Sequence, residues 1–286
     1  MPENITNSMS ERIDNDAFVD LVMQRGGERY RDFAWRRTTD PYAILVSEIM
    51  LQQTQTARVE RYYDEWLKRF PTIAALSAAD NAAVLEAWAG LGYNRRALAL
   101  KRTADTVCEK FGGILPDTEA ELLSLPGIGP ATAAALLAFA HNRPAAYLET
   151  NVRAVFLHEF FPGEDNVSDR ELLSLLPGIN ELVHARGISA RTWNYALLDY
   201  GAYLKKALPN PTRRSKHYSR QSPYEGSRRQ KRARLLEAVL AGSAGPAKTA
   251  ADLALHCGYE LAVTESVLAD LAAEGFIRQR AGGWIT

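Results

Sequence analysis

From Asp16 to Leu204 the apolar residues recur three and four positions apart in nearly every segment, and the valine, isoleucine and threonine alternation of strands is scarce. That spacing lines one face of a helix, so the periodicity predicts an all-α fold. Prolines and glycines divide the run at Pro41, Pro71, Gly112 and Gly113, Pro116, Pro126 to Gly129, Pro144, Pro162 and Gly163, and Pro177 and Gly178. With a boundary at each, about ten helices with short connections are expected. The chain has 286 residues, 47% of them hydrophobic and 24% charged, which suits one large or two modest cores.

After Leu204 the character changes. The stretch "KKALPNPTRRSKHYSRQSPYEGSRRQKR" has three prolines, many basic residues and few aliphatic ones, as in a surface connector. Net charge is zero over the whole chain, yet between Lys205 and Arg234 the one acid is Glu225, an excess suited to polyanions as well as to a solvated linker. Beyond it, "RARLLEAVLAG", "TAADLALHCG" and "TESVLADLAAEG" read as three amphipathic helices, and "FIRQRAGGWIT" reads as a tight hairpin around Gly282 and Gly283. Helix, helix, helix, hairpin is a winged-helix-like order, used for nucleic-acid or protein contact or as a structural cap. The expected divisions are a lead-in and first helix (1–28), a main helical domain (29–204), the connector (205–230) and the small module (231–286).

Only Cys108 and Cys257 occur, far apart and without a metal-ligand spacing, so neither a disulfide framework nor a metal site is expected. The opening "MPENITNSMSERIDND" is polar and reads as a frayed lead-in. No run of about 18 apolar residues occurs, so neither secretion nor membrane insertion is expected. The expected compartment is the cytoplasm, beside the nucleoid if the source is bacterial.

"LPGIGPATAAALLAFA", Leu125 to Ala140, places two glycines in a turn before a helix of small and apolar residues. Gly127 and Gly129 permit the turn geometry and leave amide N–H groups uncovered at a helix N-terminus, near Thr132, where they suit a phosphate oxygen. This is the helix-hairpin-helix pattern, which grips a nucleic-acid backbone without reading bases. It also serves DNA binders with no catalytic activity.

The sharper clue is Glu48, set in an otherwise apolar helix between Ile44, Leu45, Val46 and Ile49, Met50, Leu51. Partial desolvation there disfavours the charged form and raises its pKa, which suits a proton donor. A core glutamate bonded to backbone or arginine has the same sequence appearance.

Four motifs in order, "SEIMLQQTQ", "GLGYNRRALAL", "LPGIGPATA" and "LETNVRAV", resemble those of the helix-hairpin-helix DNA glycosylases with the endonuclease III fold, and most closely those of the A/G-specific adenine glycosylases among them. The resemblance spans about Arg29 to Leu204. It implies a two-lobed helical fold and base removal from double-stranded DNA in base excision repair. Breaking the bond between a purine and deoxyribose leaves positive charge on the sugar, so the reaction needs an acid for the departing base and a fixed anion for the cation. By position the resemblance assigns the proton to Glu48, the anion to Glu149, acting electrostatically or through a transient bond to the sugar, and the orienting of Glu149 to Asn151.

A base inside a duplex has to be flipped out and the vacancy filled. The resemblance gives the wedge to Gln53, with Gln52, Thr54, Leu91 and Tyr93 around the gap, and sets Arg31, Trp35 and Arg36 around the extruded base. Aromatic residues at helical spacing are otherwise core.

Several departures from the pattern carry expectations. Bifunctional relatives have a lysine two residues after the second hairpin glycine; Ala131 stands there, after Pro130, so no lyase activity is expected. Where many relatives hold an iron-sulfur cluster with four cysteines, this chain has Lys205, Thr212, Ser215 and Gln221, so no cofactor is expected, and the connector is expected to meet phosphates through Arg213, Arg214 and Lys216. Glu149 replaces the usual aspartate, Tyr195 stands at a pocket position that is glutamate or glutamine in the adenine enzymes, and a winged-helix-like segment is expected in place of the larger domain that recognises oxidised guanine. The expected function is therefore a monofunctional, monomeric glycosylase removing adenine opposite 8-oxoguanine or guanine. The alternatives are a same-fold enzyme for uracil, hypoxanthine or an alkylated base, and a catalytically silent DNA-binding protein.

Overall fold

The computed structural model describes residues 13–220, 222–242, 247–280 and 282–286. The expected lead-in before residue 13 and Gln221 of the connector lie outside the described residues. Fourteen α-helices occur among those described, in the order Asn15–Gly27 (α1), Pro41–Leu51 (α2), Thr56–Arg69 (α3), Ile73–Ala78 (α4), Asn81–Trp88 (α5), Arg95–Phe111 (α6), Glu119–Ser124 (α7), Pro130–Phe139 (α8), Thr150–Glu159 (α9), Asp169–Ala185 (α10), Ala190–Ala207 (α11), Arg228–Leu240 (α12), Ala250–Cys257 (α13) and Leu261–Ala273 (α14). One antiparallel pair, Arg278–Arg280 (β1) with Gly283–Ile285 (β2), follows them, and Lys248 bridges to Trp284. The all-α expectation holds, as does the order of three helices and a hairpin at the end.

The chain forms two compact units. The first comprises residues 1–45, 117–124 and 128–219; the second comprises 46–116, 125–127 and 220–286. The segment after the connector thus clusters with α3–α6.

In the first unit, Phe18 of α1 packs on Phe156 of α9, on Phe160 at the C-cap of that helix and on Trp193 of α11, at ring-centroid distances of 5.3, 4.6 and 6.0 Å. α11 lies against both helices at glycine contacts. A Cβ at Gly26 of α1 would stand 2.5 Å from Ala196 Cα, and one at Gly201 of α11 would stand 2.1 Å from the carbonyl oxygen of Asn151. Such approach requires glycine and brings whole backbones together. In the second unit, Trp66 meets Phe70 and Trp88 edge-on at 4.9 and 5.3 Å, and Leu235, Leu236, Val239, Leu268 and Leu271 bury the seam of α12 and α14.

One expected break is corrected. Pro177 and Gly178 lie inside α10, which runs unbroken from Asp169. The stripe Leu172, Leu176, Ile179, Val183 is buried throughout, and it outweighs the one hydrogen bond that proline removes. Ser168 and Glu171 close a capping box at the helix start.

Candidate active site

Glu149 is the N-cap of α9. Its Oε1 accepts from the backbone N–H groups of Asn151 at 2.6 Å and Val152 at 3.0 Å, and Asn151 Nδ2 donates to its Oε2 at 3.3 Å. Two of the donors that a helix start leaves without partners are therefore satisfied by a carboxylate, at the end of the helix dipole that favours an anion. Burial pushes the Glu149 carboxyl above its ordinary value, against the opposing pull of the two backbone donors and the charges of Lys205 and Arg153. The side chain sits at the balance of these effects, a half-buried acid whose anion has fixed donors waiting for it. Arg153 is itself tied to Asp169 at 2.8 Å.

Lys205, which no spacing in the sequence links to this acid, stands beside it. Lys205 lies one helical turn beyond Gly201 on α11, and its Nζ donates to Asn151 Oδ1 at 3.2 Å. Burial lowers its pKa, partly offset by Glu149. Glu149, Asn151 and Lys205 thus form one hydrogen-bonded row, set by the close contact of Gly201 with Asn151.

The predicted base-contact residues separate into two groups. Asp199 on α11, with a fully buried side chain, receives two bonds from Arg36 at 2.7 and 2.9 Å and one from Arg31 Nε at 2.6 Å. Arg36 lies over the Tyr195 ring at 4.4 Å, and that ring stacks on Phe139 at 4.4 Å. A cleft of about 230 Å³ opens beside this cluster, lined by Tyr30, Arg36, Arg191, Tyr195 and Asp199 among others. Trp35 is 5% exposed and stacks on Phe33 instead. Asp199 and Arg191 went unrecognised in the sequence. Arg191 bonds the backbone oxygens of Phe139, Arg36 and Thr38, so it closes one wall of the same cleft.

In the second unit, Glu48 is half-buried among the buried residues Val46, Ser47, Ile49 and Met50 of α2. α2 has no basic residue in its last turn, and its terminal carbonyls take donors from Arg96. Arg96 Nη1 donates to Ile49 O at 2.8 Å, to Met50 O at 3.0 Å and to Gln52 O, while Nη2 donates to Thr54 Oγ1 and Gly92 O, each at 3.0 Å. One guanidinium therefore closes the helix carrying Glu48 and joins it to the turn of Gln53, the expected wedge, and to the turn of Tyr93. Burial lowers its pKa to about 10, which leaves it charged at neutral pH.

The wedge turns carry backbone strain. Gln53 has φ 55° and Tyr93 φ 50°, in the left-handed region that bulky residues avoid. Such strain costs about 1–3 kcal/mol and gathers at sites where geometry serves binding. Gln53 is exposed, Gln52, Thr54 and Tyr93 are half-buried, and Leu91 is 2% exposed, within the core.

Of the hairpin residues, Gly127 has φ 78° and a Cβ there would stand 2.8 Å from Ala99 Cβ. Gly129 opens α8 without a side-chain cap, Pro130 follows at the first helical position, and Thr132 is buried. In the connector, Arg213 and Lys216 are exposed, whereas Arg214 turns inward to the carbonyls of Leu157, at 2.7 Å, and Phe161. Val167 and Ser215 form a backbone bridge beside it.

Residues 46–177 match the HhH-GPD superfamily base excision DNA repair protein family. The chain is 35% identical to the adenine DNA glycosylase of Mycolicibacterium smegmatis over 273 residues, covering 88% of this chain and 90% of that one. It is 37% identical to the adenine DNA glycosylase of Buchnera aphidicola (subsp. Baizongia pistaciae) over 171 residues, 59% of this chain and 47% of the relative, so that match spans about half of the Buchnera protein. Among solved structures, a thermostable thymine-DNA glycosylase superposes with a TM-score of 0.58 at 27% identity, over 66% of this chain and 86% of its own. A non-covalent endonuclease III–DNA complex shares the fold at 16% identity and a TM-score of 0.52, over 74% of this chain and 90% of the other. No helix among the described residues is long and apolar enough to cross a membrane.

Proposed function

The chain belongs to the adenine DNA glycosylase family, within the HhH-GPD superfamily of base excision repair proteins, and from that premise we propose that it hydrolyses the N-glycosidic bond of adenine mispaired with 8-oxoguanine or guanine in duplex DNA. The observation that carries the reading is the Glu149 carboxylate, fixed by two backbone N–H groups and Asn151 at the start of α9. In the proposed reaction Glu48 donates a proton to the departing adenine as the bond to C1′ breaks and its electron pair leaves with the base. Glu149, as the anion, stabilises the positive sugar, and water completes the abasic product by adding a hydroxyl at C1′ while its other proton passes to solvent, from which Glu48 is reprotonated. Preorganised donors keep the carboxylate in place, so little reorganisation is needed as charge develops. Gln53 and Tyr93 are proposed to hold the gap left by the flipped nucleotide, and the protein is proposed to act as a monomer.

Base removal is proposed to stop at the abasic site, since Ala131 offers no amine at the hairpin position. The test is single-turnover incubation with duplexes carrying adenine opposite 8-oxoguanine, adenine opposite guanine, uracil, hypoxanthine, an alkylated purine, or thymine opposite guanine, followed by alkaline cleavage of abasic sites. Adenine opposite 8-oxoguanine is expected to react fastest, with no strand scission before alkali, and Glu48→Gln is expected to slow it about a hundredfold. A faster reaction on another lesion would reassign the substrate, and an unaffected Glu48→Gln would remove the proposed donor.

Many proteins of this fold carry an iron-sulfur cluster, and the residues here do not fit one. A cluster is held by thiolates. Lys205 bonds Asn151, the Thr212 hydroxyl bonds Asn210 Oδ1 at 2.8 Å, and Ser215 Oγ accepts from the backbone N–H of His217 at 3.2 Å. Cys108 and Cys257 both belong to the second unit, on α6 and α13. We therefore propose that the connector holds its shape through Arg214 and the bridge to Val167. Purified protein is expected to carry neither iron nor acid-labile sulfide and to show no visible charge-transfer absorption. Stoichiometric iron and sulfide would overturn this.

A further inference from the structure

Within the second unit a cleft of about 1310 Å³ lies among the turns at Gln52–Gln55 and Gly90–Arg96, the start of α3 and one face of α12 from Arg228 to Leu240. Seven arginines line it, and Glu237 is the one carboxylate among its lining residues. Four of the seven are already committed. Arg95 and Arg232 bind Glu274 at 2.6 Å, Arg228 binds Asp270 at 2.5 Å, and Arg96 is turned onto carbonyls. Arg58, Arg61 and Arg229 meet no carboxylate among the described residues.

Arg229 is held in a set orientation without being neutralised. Its Nη1 donates to Tyr93 Oη at 3.0 Å and its Nη2 to Ser222 O at 3.1 Å, with the guanidinium near the rings of Tyr93 and Tyr224 at 5.6 and 5.5 Å. α12 also begins with Arg228 and Arg229 directly after its Ser227 cap. Positive charge in the first turn opposes the helix dipole, so this end of α12 is electropositive at the expense of its own stability. Three guanidinium groups that meet no carboxylate, lining one cleft, suit a polyanion, and planar guanidinium groups suit phosphate oxygens.

We propose that α12 and the segment before it form a DNA-holding arm, in which Arg58, Arg61 and Arg229 bind consecutive phosphates of one strand beside the Gln53 and Tyr93 turns. The proposal rests on the function above for the identity of the polyanion. It gives the C-terminal module a direct part in substrate binding, with Arg229 joining it to Tyr93 beside the gap.

The test uses the full chain and a fluorescently labelled duplex carrying adenine opposite 8-oxoguanine, titrated at salt concentrations from about 50 to 300 mM. Arg229→Ala is expected to raise Kd about five- to tenfold near 100 mM salt and to reduce the slope of log K against log salt by about 1. The double variant Arg58→Ala/Arg61→Ala, at two exposed positions of α3, is expected to reduce it by about 2. Lys68→Ala, outside the cleft and paired with Glu65, serves as the control and is expected to leave both unchanged. Should Arg229→Ala fail to fold, the α3 pair decides. Affinities within twofold of wild type and an unaltered slope would overturn the arm, as would polyglutamate binding that depends on Arg229 while DNA binding does not, a result that assigns an acidic protein partner. Excision of adenine without any effect of these variants sinks the arm and spares the function. Variant-sensitive binding without excision does the reverse.

Discussion

Glu149→Gln is expected to reduce single-turnover adenine excision about a thousandfold while leaving the melting temperature at pH 7 equal to or above that of wild type. The two effects have one origin. Glutamine has the same length, and its carbonyl oxygen accepts from the N–H groups of Asn151 and Val152 as the carboxylate does, so the helix start keeps its cap. What it lacks is the negative charge and the acceptor that Oε2 offers to Asn151 Nδ2 at 3.3 Å, and losing one preorganised electrostatic contact to a transition state typically costs a factor of about 10²–10³ or more. Burial is the leading influence on this carboxyl and raises its pKa in the folded protein above the ordinary 4.5. Between those two values the folded protein keeps a proton that the unfolded chain has released, so stability falls as pH rises through that window and the charge is carried at a cost above it. Glutamine removes that cost. The stability gap between variant and wild type is therefore expected at neutral pH and should vanish as pH falls below 4.5, as followed by thermal melts across pH. The same shift places the acid limb of the wild-type rate profile above that ordinary value, since the proposed role needs the anion. A variant that loses activity together with several degrees of stability would make Glu149 a structural cap.

The sequence made some of this legible, and physical range explains the division. Helix existence follows from local periodicity, and so does the small-residue α8. The reading failed at Pro177, where a local breaker signal lost to a buried stripe running through it. The supports of the candidate site were invisible for a different reason. Arg96 reaches back to the end of α2, Asp199 gathers Arg31 and Arg36 from the start of the chain, and Lys205 reaches Asn151. Each pairing joins residues far apart in sequence, and no spacing rule encodes it. The motifs did contain a pointer, since Arg96 lies inside "GLGYNRRALAL" and α2 lacks a basic residue to close its own last turn. A helix end without a local donor implies a remote one. Lys205 is the more telling case. Read only as a position lacking a cluster cysteine, it proves to be an amine beside the candidate anion.

That arrangement depends on a single missing methyl group, and Gly201→Ala is expected to damage stability and activity together. A Cβ on Gly201 would meet Asn151 O at 2.1 Å, Asn151 C at 2.5 Å and Asn151 Cα at 2.9 Å. All three are backbone atoms, so no side-chain rotation relieves the contact, and α9 has to move relative to α11. Forcing a methyl group into such a contact costs about 1–3 kcal/mol or more, which corresponds to a fall of roughly 5–10 °C in melting temperature for a chain of this size. The displaced atoms belong to the first turn of α9, which holds Glu149, and Lys205 loses its reach to Asn151 as the helices separate. Excision is expected to fall by at least about tenfold, because angstrom-scale misplacement of a catalytic group already has effects of that order. Gly178→Ala separates this from a general intolerance of alanine. At Gly178, inside α10, the nearest atom to an added Cβ is Asn15 Nδ2 at 3.6 Å, an ordinary contact, and replacing a helix-interior glycine there should stabilise the protein by about 0.4–1 kcal/mol without changing excision. If Gly201→Ala instead melts and reacts like wild type, the two helices tolerate separation. The row from Glu149 through Asn151 to Lys205 would then be a consequence of packing, with no bearing on the chemistry.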